Sequence, residues 1–515
     1  MTDARTSAGS RHILTRRRFL VAGAAAILPG VARAQTPVPR RPQTLRIAVP
    51  ALPRSHDPAI AKPLDGVWLD TLSCDALFRW NTAGQIVPAL ALSWALSARD
   101  RHLDLTLRPD VFFADGTLVT AEDVRWSLER VRDGVETPEA WRLERVAHIE
   151  TLDATTVRLV LAEPDAALVS SLASPALSVL PKGAHPLLEA GGTGPFILNT
   201  RASDALTYRR HPLFWQIGRP HIDTLRVGAI ADDTTRSTAL VTGTIDLIPN
   251  APLLDVPTMK QDPLISLVGG PSNRLCLLQL NLASPRLRDA RVRRLLGAAV
   301  DRDGLVKVAT AGQAEASGLL FPKGSWARGD IAEPETTGPE DTRAALAALG
   351  IRTELSLRLI TNDSDATLAN TAVVLQDQLA YAGIALTVDL LDETELAAEI
   401  DAGEFDLLAT YTPPWRDPHE LVRPLLASDG VLNRSGYASP RADALIHGAT
   451  LATGQPRRAD RYVRLQQRVL EDMPVIVLFR PYYFDAMTRR LTRYGLYPPV
   501  TARGLASAVL GPVED

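Results

Sequence analysis

Residues 355–410 read LSLRLITNDSDATLANTAVVLQDQLAYAGIALTVDLLDETELAAEIDAGEFDLLAT, and this stretch decides the fold class. Apolar residues alternate with polar ones at its start, at Leu355, Leu357 and Leu359, which predicts a strand. Helix and strand signals then alternate to its end: helix 366–382, strand 384–390, helix 393–402 and strand 405–410. This alternation is typical of βαβ units, so the sequence predicts an α/β fold with a parallel sheet.

Two loops follow the first and the last strand of this stretch, where open α/β sheets bind their ligands. The first loop, 361–365, contains Asn362. The second loop, 411–418, reads YTPPWRDP and contributes five candidate ligand-binding residues: Tyr411, Thr412, Trp415, Arg416 and Asp417. Aromatic rings supply apolar contact area and charges orient a ligand, so this proline-stiffened loop predicts a binding site. The alternative is a solvated loop whose Trp packs locally.

Working outward, the same patterns predict further elements on both sides of this stretch. Strands are expected over 44–50, 103–107 and 156–161, and the apolar run 475–480 is also expected to be a strand. Helices are expected over 67–80, within 283–303 and over 341–349, and Thr120 to Asp123 fits a capping box that begins another helix.

The first 35 residues predict an export signal. Arg16, Arg17 and Arg18 precede Phe-Leu, a short apolar run ends at Val31, and Ala32-Arg33-Ala34 fits a cleavage site. The paired arginines are typical of a twin-arginine signal, so we expect a periplasmic protein. The apolar run is too short for a membrane anchor. The residue directly after the cleavage site is Gln35 and not a cysteine, so we expect no lipid anchor.

Length and charge limit the architecture and the partners. About 480 residues remain after residues 1–34, which exceeds a single core and predicts two lobes. The chain carries a net charge of −3, and loss of six Arg and one Asp with the signal would leave −8. A mildly acidic protein is not expected to bind nucleic acid or an anionic membrane.

Catalytic and metal-binding patterns are weak. The sequence contains no G-x-S-x-G motif, and its nine His are dispersed, so we expect no catalytic residues and no cofactor. Cys74 and Cys276 are far apart, and their spacing does not decide between a disulfide and two buried thiols. No residue is assigned to a metal, although His56 and His419 lie on loops that could face a cleft.

Several segments resemble, in order along the chain, the peptide/nickel-type (family 5) extracytoplasmic solute-binding proteins of ABC importers, in the dipeptide- and oligopeptide-binding branch. The segments that carry the resemblance are SHDP at 55–58, LRPDVFFADGTLVTAEDV at 107–124, GTGPF at 192–196, TGTIDL at 242–247, RVRRLLGAAVDR at 291–302, FDL at 405–407, DP at 417–418 and PVIVL at 474–478.

The resemblance implies a two-lobed periplasmic-binding-protein fold with mixed sheets, in which hinge-connected lobes close on a ligand. Lobe I would span 35–272, with an inserted subdomain around 76–185. Lobe II would span 273–479, and 480–515 would return to lobe I. We expect the crossover near 273–279 and the return near Leu478.

The function implied by the resemblance is binding without catalysis. A monomer would capture a peptide or a peptide-like or carboxylated compound between its lobes and deliver it to permease subunits in the inner membrane. Contacts from lobe I are expected in the loop 62–65, at Leu64 and Asp65. The alternatives are a non-peptide or metal-chelate receptor, a ligand sensor of the same fold and, most remotely, a secreted hydrolase.

One position departs from the pattern of the peptide-binding members. They place an Asp three residues before the Asp-Pro or Glu-Pro pair, where it binds the α-ammonium of the peptide, and this chain has Pro414 there. Asp417 could replace that Asp or could instead hold the loop. Arg416 could bind a carboxylate or a phosphate through its planar fork. The ligand is therefore expected to be a free peptide or, equally, a modified peptide, an opine-like or other carboxylated compound, or a sugar derivative.

Overall fold

A computed structural model describes residues 42–60, 63–97, 101–134, 137–184, 191–497 and 500–512. The export signal predicted for residues 1–34 lies outside the described residues. Within the described residues, no helix combines the length and the apolar character that crossing a membrane requires.

The strands are numbered in chain order. They are β1 Thr44–Val49, β2 Phe78–Trp80, β3 Ile86–Pro88, β4 Ala91–Leu96, β5 His102–Leu107, β6 Val146–Asp153, β7 Thr156–Leu161, β8 Phe196–Arg201, β9 Ala205–Arg210, β10 Thr224–Ala229, β11 Leu247–Ile248, β12 Ile265–Pro271, β13 Cys276–Leu280, β14 Ala314–Ala316, β15 Leu355–Asn362, β16 Ile384–Leu391, β17 Leu407–Tyr411, β18 Val475–Thr488, β19 Leu491–Thr492 and β20 Val509–Leu510.

The α-helices are numbered in the same way. They are α1 Leu64–Ser73, α2 Ala121–Asp133, α3 Leu168–Ser171, α4 Asp233–Val241, α5 Val256–Met259, α6 Ala290–Ala298, α7 Arg302–Ala309, α8 Pro339–Ala348, α9 Ala366–Tyr381, α10 Glu393–Ala402, α11 Pro418–Leu426, α12 Pro440–Leu451 and α13 Gln455–Asp472. Single 3₁₀ turns lie at Ala140–Leu143, Pro175–Leu177 and Ala502–Ala506.

The quoted stretch folds as the alternation of its signals predicts. It forms β15, α9, β16, α10 and β17, and β15 pairs in parallel with both β16 and β17. Asp365 and Asp392 accept backbone N–H groups at the first turns of α9 and α10. Gly383 and Gly403 end these helices at positive φ, a conformation that glycine adopts without steric cost.

A second set of strands is built around β1. β1 pairs in parallel with β10 and β11, and β9 and β8 continue the sheet as antiparallel strands beyond β10. The core on this sheet is closed by α1, which contributes the fully buried side chains of Trp68, Leu69 and Leu72. The sheet therefore mixes parallel and antiparallel pairs.

The long strand β18 connects the two sets of strands. Its first residues, Val475 to Phe479, pair with β13, which in turn pairs with β17. Its later residues, Tyr482 to Thr488, pair with β12. One strand thus belongs to both halves of the sheet, and the chain passes between the halves a second time between β12 and β13. The lobe boundaries at 272/273 and 479/480 stay a prediction.

Residues 76–185, the predicted insertion, contain an antiparallel sheet of their own with the order β4-β5-β7-β6. α2 packs on this sheet through Val124, Leu128 and Val131, which lie in one buried cluster with Leu103 and Leu105. The capping box at the start of α2 is confirmed, since Thr120 and Asp123 cap each other's backbone.

Two predicted helices differ from the structure. The helix expected over 67–80 begins earlier, at Leu64, and ends at Ser73, because Phe78 to Trp80 pair with β3 as a strand. The helix expected within 283–303 is limited to α6, because Asp289 caps a new start and accepts the N–H of Arg291. α7 then begins separately behind Asp301.

The two cysteines are both buried, and no disulfide joins them. Cys276 lies in β13, where burial raises the pKa of its thiol well above the ordinary value. Of the two alternatives that the sequence left open, the structure shows two buried thiols.

Candidate ligand-binding site

The loop between β17 and α11 is held by Asp417. Its carboxylate accepts the N–H of His419 at the first turn of α11 and forms a bidentate ion pair with Arg458 of α13, at 2.6 and 2.8 Å. Both side chains are about nine-tenths buried. Both carboxylate oxygens of Asp417 are therefore engaged within the protein, which favours the loop-holding role over contact with a solute.

Tyr411 and Thr412 attach the start of the loop to β13. The N–H of Thr412 donates to the carbonyl of Leu275 at 2.9 Å, and the Thr412 hydroxyl accepts the N–H of Leu275 at 3.0 Å. The guanidinium of Arg274 lies 4.0 Å from the centre of the Tyr411 ring, in cation–π geometry. Thr412 thus serves the backbone, while Tyr411 presents a ring that already holds a cation.

Trp415 and Arg416 lie in the wall of a cavity, and each has a side-chain donor without a hydrogen-bond partner among the described residues. The Trp415 ring is buried and packs edge-on against Phe321, at 6.0 Å between ring centroids. Trp415 Nε1 and Arg416 Nε are both buried without a hydrogen-bond partner among the described residues. The Arg416 guanidinium also forms no ion pair there, and only its backbone N–H is engaged, donating to Glu420 at 2.9 Å. Two buried donors without partners predict that an acceptor group binds here.

Burial lowers the pKa of Arg416 to about 10, and the nearby Glu420 carboxylate opposes this shift. The guanidinium therefore stays charged at neutral pH. A charged donor that lacks a protein partner favours an anionic group, because its hydrogen bonds to carboxylate or phosphate are the strong ones.

The cavity has a volume of about 360 Å³, at the lower end of the range for small-molecule sites. It lies where β12 meets β18, next to the loop after β17. Its walls are formed by Thr82, Val268, Gly269, Gly270, Pro271, Ser272, Asn273, Pro414, Trp415, Arg416, Tyr483, Leu496 and Val500. A Cβ at Gly269 would overlap the carbonyl oxygen of Tyr483, so glycine is required where the two strands approach.

Leu64 and Asp65, the candidates from predicted lobe I, lie in the first turn of α1. Leu64 is half-buried and packs against the core beneath β1. Asp65 is 9% exposed, and its Oδ1 has no hydrogen-bond partner among the described residues. Burial raises the pKa of Asp65 to about 7, despite the lowering effect of Arg236 and Arg274.

Asn362, the candidate from the predicted loop 361–365, is the last residue of β15. Its side-chain oxygen accepts the N–H of Ser364 at 2.8 Å and also the Ser364 hydroxyl. This local turn uses the Asn362 oxygen within the loop itself.

The two histidines considered for a metal do not form a cluster. His419 is buried, with its ring 5.9 Å from that of Trp141, and burial lowers its pKa well below 6.5. His56 is half-buried in the loop that follows β1. Among the described residues, no group of three or more His, Cys, Asp or Glu could hold a metal ion.

Sequence reasoning missed Arg274 and Tyr483. Arg274 directly follows the cavity residue Asn273, and Tyr483 contributes to the cavity wall from β18. A usable signal was present, because the crossover between lobes was expected near 273–279 and residues at a crossover border the cleft.

A polar seam joins residues 140–171 to α11 and α12. Glu420 accepts the hydroxyl of Ser170 at 2.7 Å, and Arg423 binds Glu144 at 2.8 Å. The N–H of Ala166 donates to the carbonyl of Thr450 at 2.9 Å. Glu420 thereby connects the backbone of Arg416 to α3 of the predicted insertion.

Replacing Ser170 by Ala is expected to weaken solute binding by about 12-fold to about 140-fold. If the predicted lobes separate without solute, this hydrogen bond to a carboxylate forms only on closure, and such bonds contribute about 1.5–3 kcal/mol. Isothermal titration with the solute recovered from the wild-type protein measures the change. Ser237→Ala is the matched control. Ser237 also donates to a carboxylate, that of Asp255, but both of these residues lie in predicted lobe I. If Ser170→Ala binds the solute as tightly as Ser237→Ala does, the hydrogen bond between Ser170 and Glu420 does not stabilise the closed state.

A two-lobed mixed α/β architecture with a solute-sized cavity defines the class of periplasmic solute-binding proteins. Residues 85–433 match the family "Bacterial extracellular solute-binding proteins, family 5 Middle". The chain belongs to this family, as the sequence motifs predicted, and is a solute-binding protein.

Relatives and a solved structure agree with this assignment. The chain is 26% identical to the probable D,D-dipeptide-binding periplasmic protein DdpA of Escherichia coli K12, over 88% of this chain and 92% of the relative. It is 26% identical to the glutathione-binding protein GsiB of Escherichia coli O1:K1, over 82% and 86%. The structure of AgaA from A. tumefaciens R10 in complex with agropinic acid superposes with a TM-score of 0.83 at 23% identity, over 92% and 99%. All three are binding proteins.

Proposed function

We propose that this protein is the periplasmic receptor of an ABC importer for a small carboxylated solute. The observation that carries the proposal is the pair of buried donors without partners, Trp415 Nε1 and Arg416 Nε, on a cavity of about 360 Å³. A carboxylate of the solute would accept from both. The protein would bind without catalysis and deliver the solute to membrane permease subunits.

The relatives support this class of solute. A D,D-dipeptide and glutathione, the ligands in the names of DdpA and GsiB, both carry free carboxylates. The cavity volume suits a molecule of this size rather than a long peptide.

The proposed site joins both predicted lobes. Arg416, Trp415 and Tyr411 would contact the solute from lobe II, 273–479, and Leu64 and Asp65 from lobe I. Contacts from both lobes are needed, because a solute favours the closed state only through interactions that the open state lacks. Export by the twin-arginine route without a lipid anchor, and action as a monomer, complete the proposal and rest on the signal sequence and the family.

Native mass spectrometry of the protein purified from a periplasm, followed by denaturation of the same sample, tests the proposal. The expected result is one or a few released small molecules that carry a carboxylate, detected as anions. A neutral sugar or a metal ion without an organic acid would contradict it. If the protein is empty, a thermal-shift screen of dipeptides, glutathione and other small carboxylic acids replaces the first measurement. The absence of any shift with these acids would also contradict the proposal.

A further inference from the structure

One part of the cavity wall is apolar. It is formed by Val268 of β12, by Tyr483 of β18 and, from the chain that follows β19, by Leu496 and Val500. All four belong to, or pack against, the hydrophobic core between α1 and the sheet of β1. Leu64, a contact predicted for lobe I, packs against the same core. We call Val268, Tyr483, Leu496 and Val500 the apolar wall.

Strand pairing places Val268 and Tyr483 on one face of the sheet. β12 and β18 are antiparallel, with Val268 opposite Asp485 and Gly270 opposite Tyr483. Side chains directly opposite each other share a face, as do residues two apart on one strand. Gly270 has no side chain, and a Cβ there would meet nothing within 4 Å. The glycine therefore leaves the space beside Tyr483 open.

The apolar wall offers a solute carbon atoms rather than hydrogen bonds. The one side-chain polar group in it, the Tyr483 hydroxyl, donates to Asp485 at 2.6 Å. The second oxygen of that carboxylate accepts the hydroxyl of Tyr494 at 2.5 Å. Val268 and Leu496 are only partly buried, so part of their apolar surface remains exposed. An apolar group of a solute would remove this surface from water, which is favourable.

A different part of the wall carries the charge. Arg416 is the one charged residue of the wall as the described residues form it, and it follows Trp415, whose Nε1 also lacks a partner there. Both residues lie in the loop after β17, in predicted lobe II. The apolar wall comes from predicted lobe I and from 480–515, the segment expected to return to it. The cavity thus combines a charge from one predicted lobe with an apolar surface from the other.

We propose that the solute is an amphiphilic carboxylic acid, whose branched aliphatic or aromatic group packs against the apolar wall while its carboxylate binds at Arg416 and Trp415. The inference rests on the proposed function and narrows it to acids that carry an apolar group. Each predicted lobe would hold a different part of the solute. A polar acid of the same shape would gain less from the closed state and would bind more weakly.

Matched pairs of acids test the inference by thermal shift and isothermal titration. The two members of a pair have side chains of nearly equal shape, one apolar and one polar. The pairs are glycyl-leucine with glycyl-asparagine, N-acetyl-leucine with N-acetyl-asparagine, and the corresponding valine and threonine compounds. The free and acetylated forms cover solutes with and without an ammonium group. The wild-type protein is expected to bind the apolar member of at least one pair about ten-fold more tightly, or better.

Two variants assign this preference to the apolar wall. Val268→Thr adds a hydroxyl at nearly constant shape, and threonine is well suited to a strand. The preference for the apolar member is expected to fall about five-fold, because the hydroxyl would be buried against an apolar group without a partner. Val308→Thr is its matched control, since Val308 is 60% exposed on α7. Leu496→Asn should act like Val268→Thr, and its control is Leu264→Asn, at a position 64% exposed just before β12.

The readout is the ratio of the two affinities within a pair. A variant that only destabilises the fold weakens the binding of both members alike and leaves this ratio unchanged. A variant that alters a contact with the apolar group changes the ratio. The ratio therefore separates a contact with the solute from a structural role of Val268 or Leu496.

The outcomes also separate this inference from the proposed function. If polar members bind as tightly as apolar ones, or if the preference survives in both Val268→Thr and Leu496→Asn, the apolar wall does not receive the solute, while the carboxylate site at Arg416 stands. If none of these acids binds, the inference is overturned, and the solute released from the native protein decides the proposed function. If N-acetyl-leucinamide, which lacks the carboxylate, binds as tightly as N-acetyl-leucine, the proposed function is wrong and the apolar contact stands.

Discussion

Replacing Asp417 by Ala is expected to lower the free energy of unfolding by about 3–5 kcal/mol. The substitution leaves the buried guanidinium of Arg458 without its carboxylate, and removal of one partner of a buried ion pair is strongly destabilising. Burial disfavours the charged form of Arg458, but the Asp417 carboxylate outweighs burial and holds the pKa of Arg458 above its ordinary value. Arg458 therefore stays charged in the native protein. Chemical denaturation of wild type and variant measures the difference.

Two variants isolate the cause. Asp460→Ala removes the partner of Arg464 on the same helix, α13, but that pair is about half-exposed on both sides, so we expect a loss of at most about 0.5 kcal/mol. Asp417→Asn keeps an acceptor for the N–H of His419 and removes the charge, so its loss reports on the ion pair rather than on the cap. A loss for Asp417→Ala no larger than that for Asp460→Ala would contradict a loop held by Asp417.

Replacing Arg416 by Ala is expected to weaken binding of the native solute by about 30-fold to about 4,000-fold. Loss of one partner of a buried, hydrogen-bonded charge pair costs about 2–5 kcal/mol, and each 1.4 kcal/mol is a factor of ten. The stability of the empty protein should change little, because the Arg416 guanidinium forms no hydrogen bond or ion pair with the described residues. Isothermal titration with the solute released from the wild-type protein gives the affinity, and denaturation gives the stability.

Arg441→Ala is the matched control for Arg416, since Arg441 is exposed on α12 and should leave affinity unchanged. Arg416→Lys keeps the charge but loses the planar fork, so an intermediate affinity is expected if the solute is held in bidentate geometry. Affinity that is unchanged in Arg416→Ala would remove this residue from the site.

Much of the fold could be predicted because its signals are local. The alternation over 355–410 depends on apolar spacing, on the capping side chains of Asp365 and Asp392 and on the glycines that end two helices, all within a few residues of the elements they define. The helix expected over 67–80 was too long for the opposite reason. Phe78 to Trp80 are a strand only because β3 lies beside them, and pairing overrides local preference.

The candidate site was predictable in part. The sequence placed the loop 411–418 after a strand and marked Asp417 as either a ligand contact or a loop holder, and it favoured the loop-holding role because carboxylates before Pro often cap turns. The decision depends on Arg458, 41 residues further along the chain, which occupies both oxygens of the carboxylate. The candidates Thr412 and Asn362 are also engaged within the protein, because their side-chain oxygens accept the backbone N–H groups of Leu275 and Ser364.

The sequence by itself determined the family and the order of helices and strands over 355–410, because motif and periodicity are properties of neighbouring residues. Of its candidate loops, the cavity wall includes residues from 411–418 only, namely Pro414, Trp415 and Arg416. Only the tertiary structure decided which polar groups remain available to a solute. Arg416 and Asp417 are neighbouring charged residues that differ in whether a distant residue satisfies them: Arg458 binds the carboxylate of Asp417, whereas Arg416 Nε has no partner among the described residues. Burial makes that difference matter, because a charge removed from water must find its partner either within the protein or in the solute.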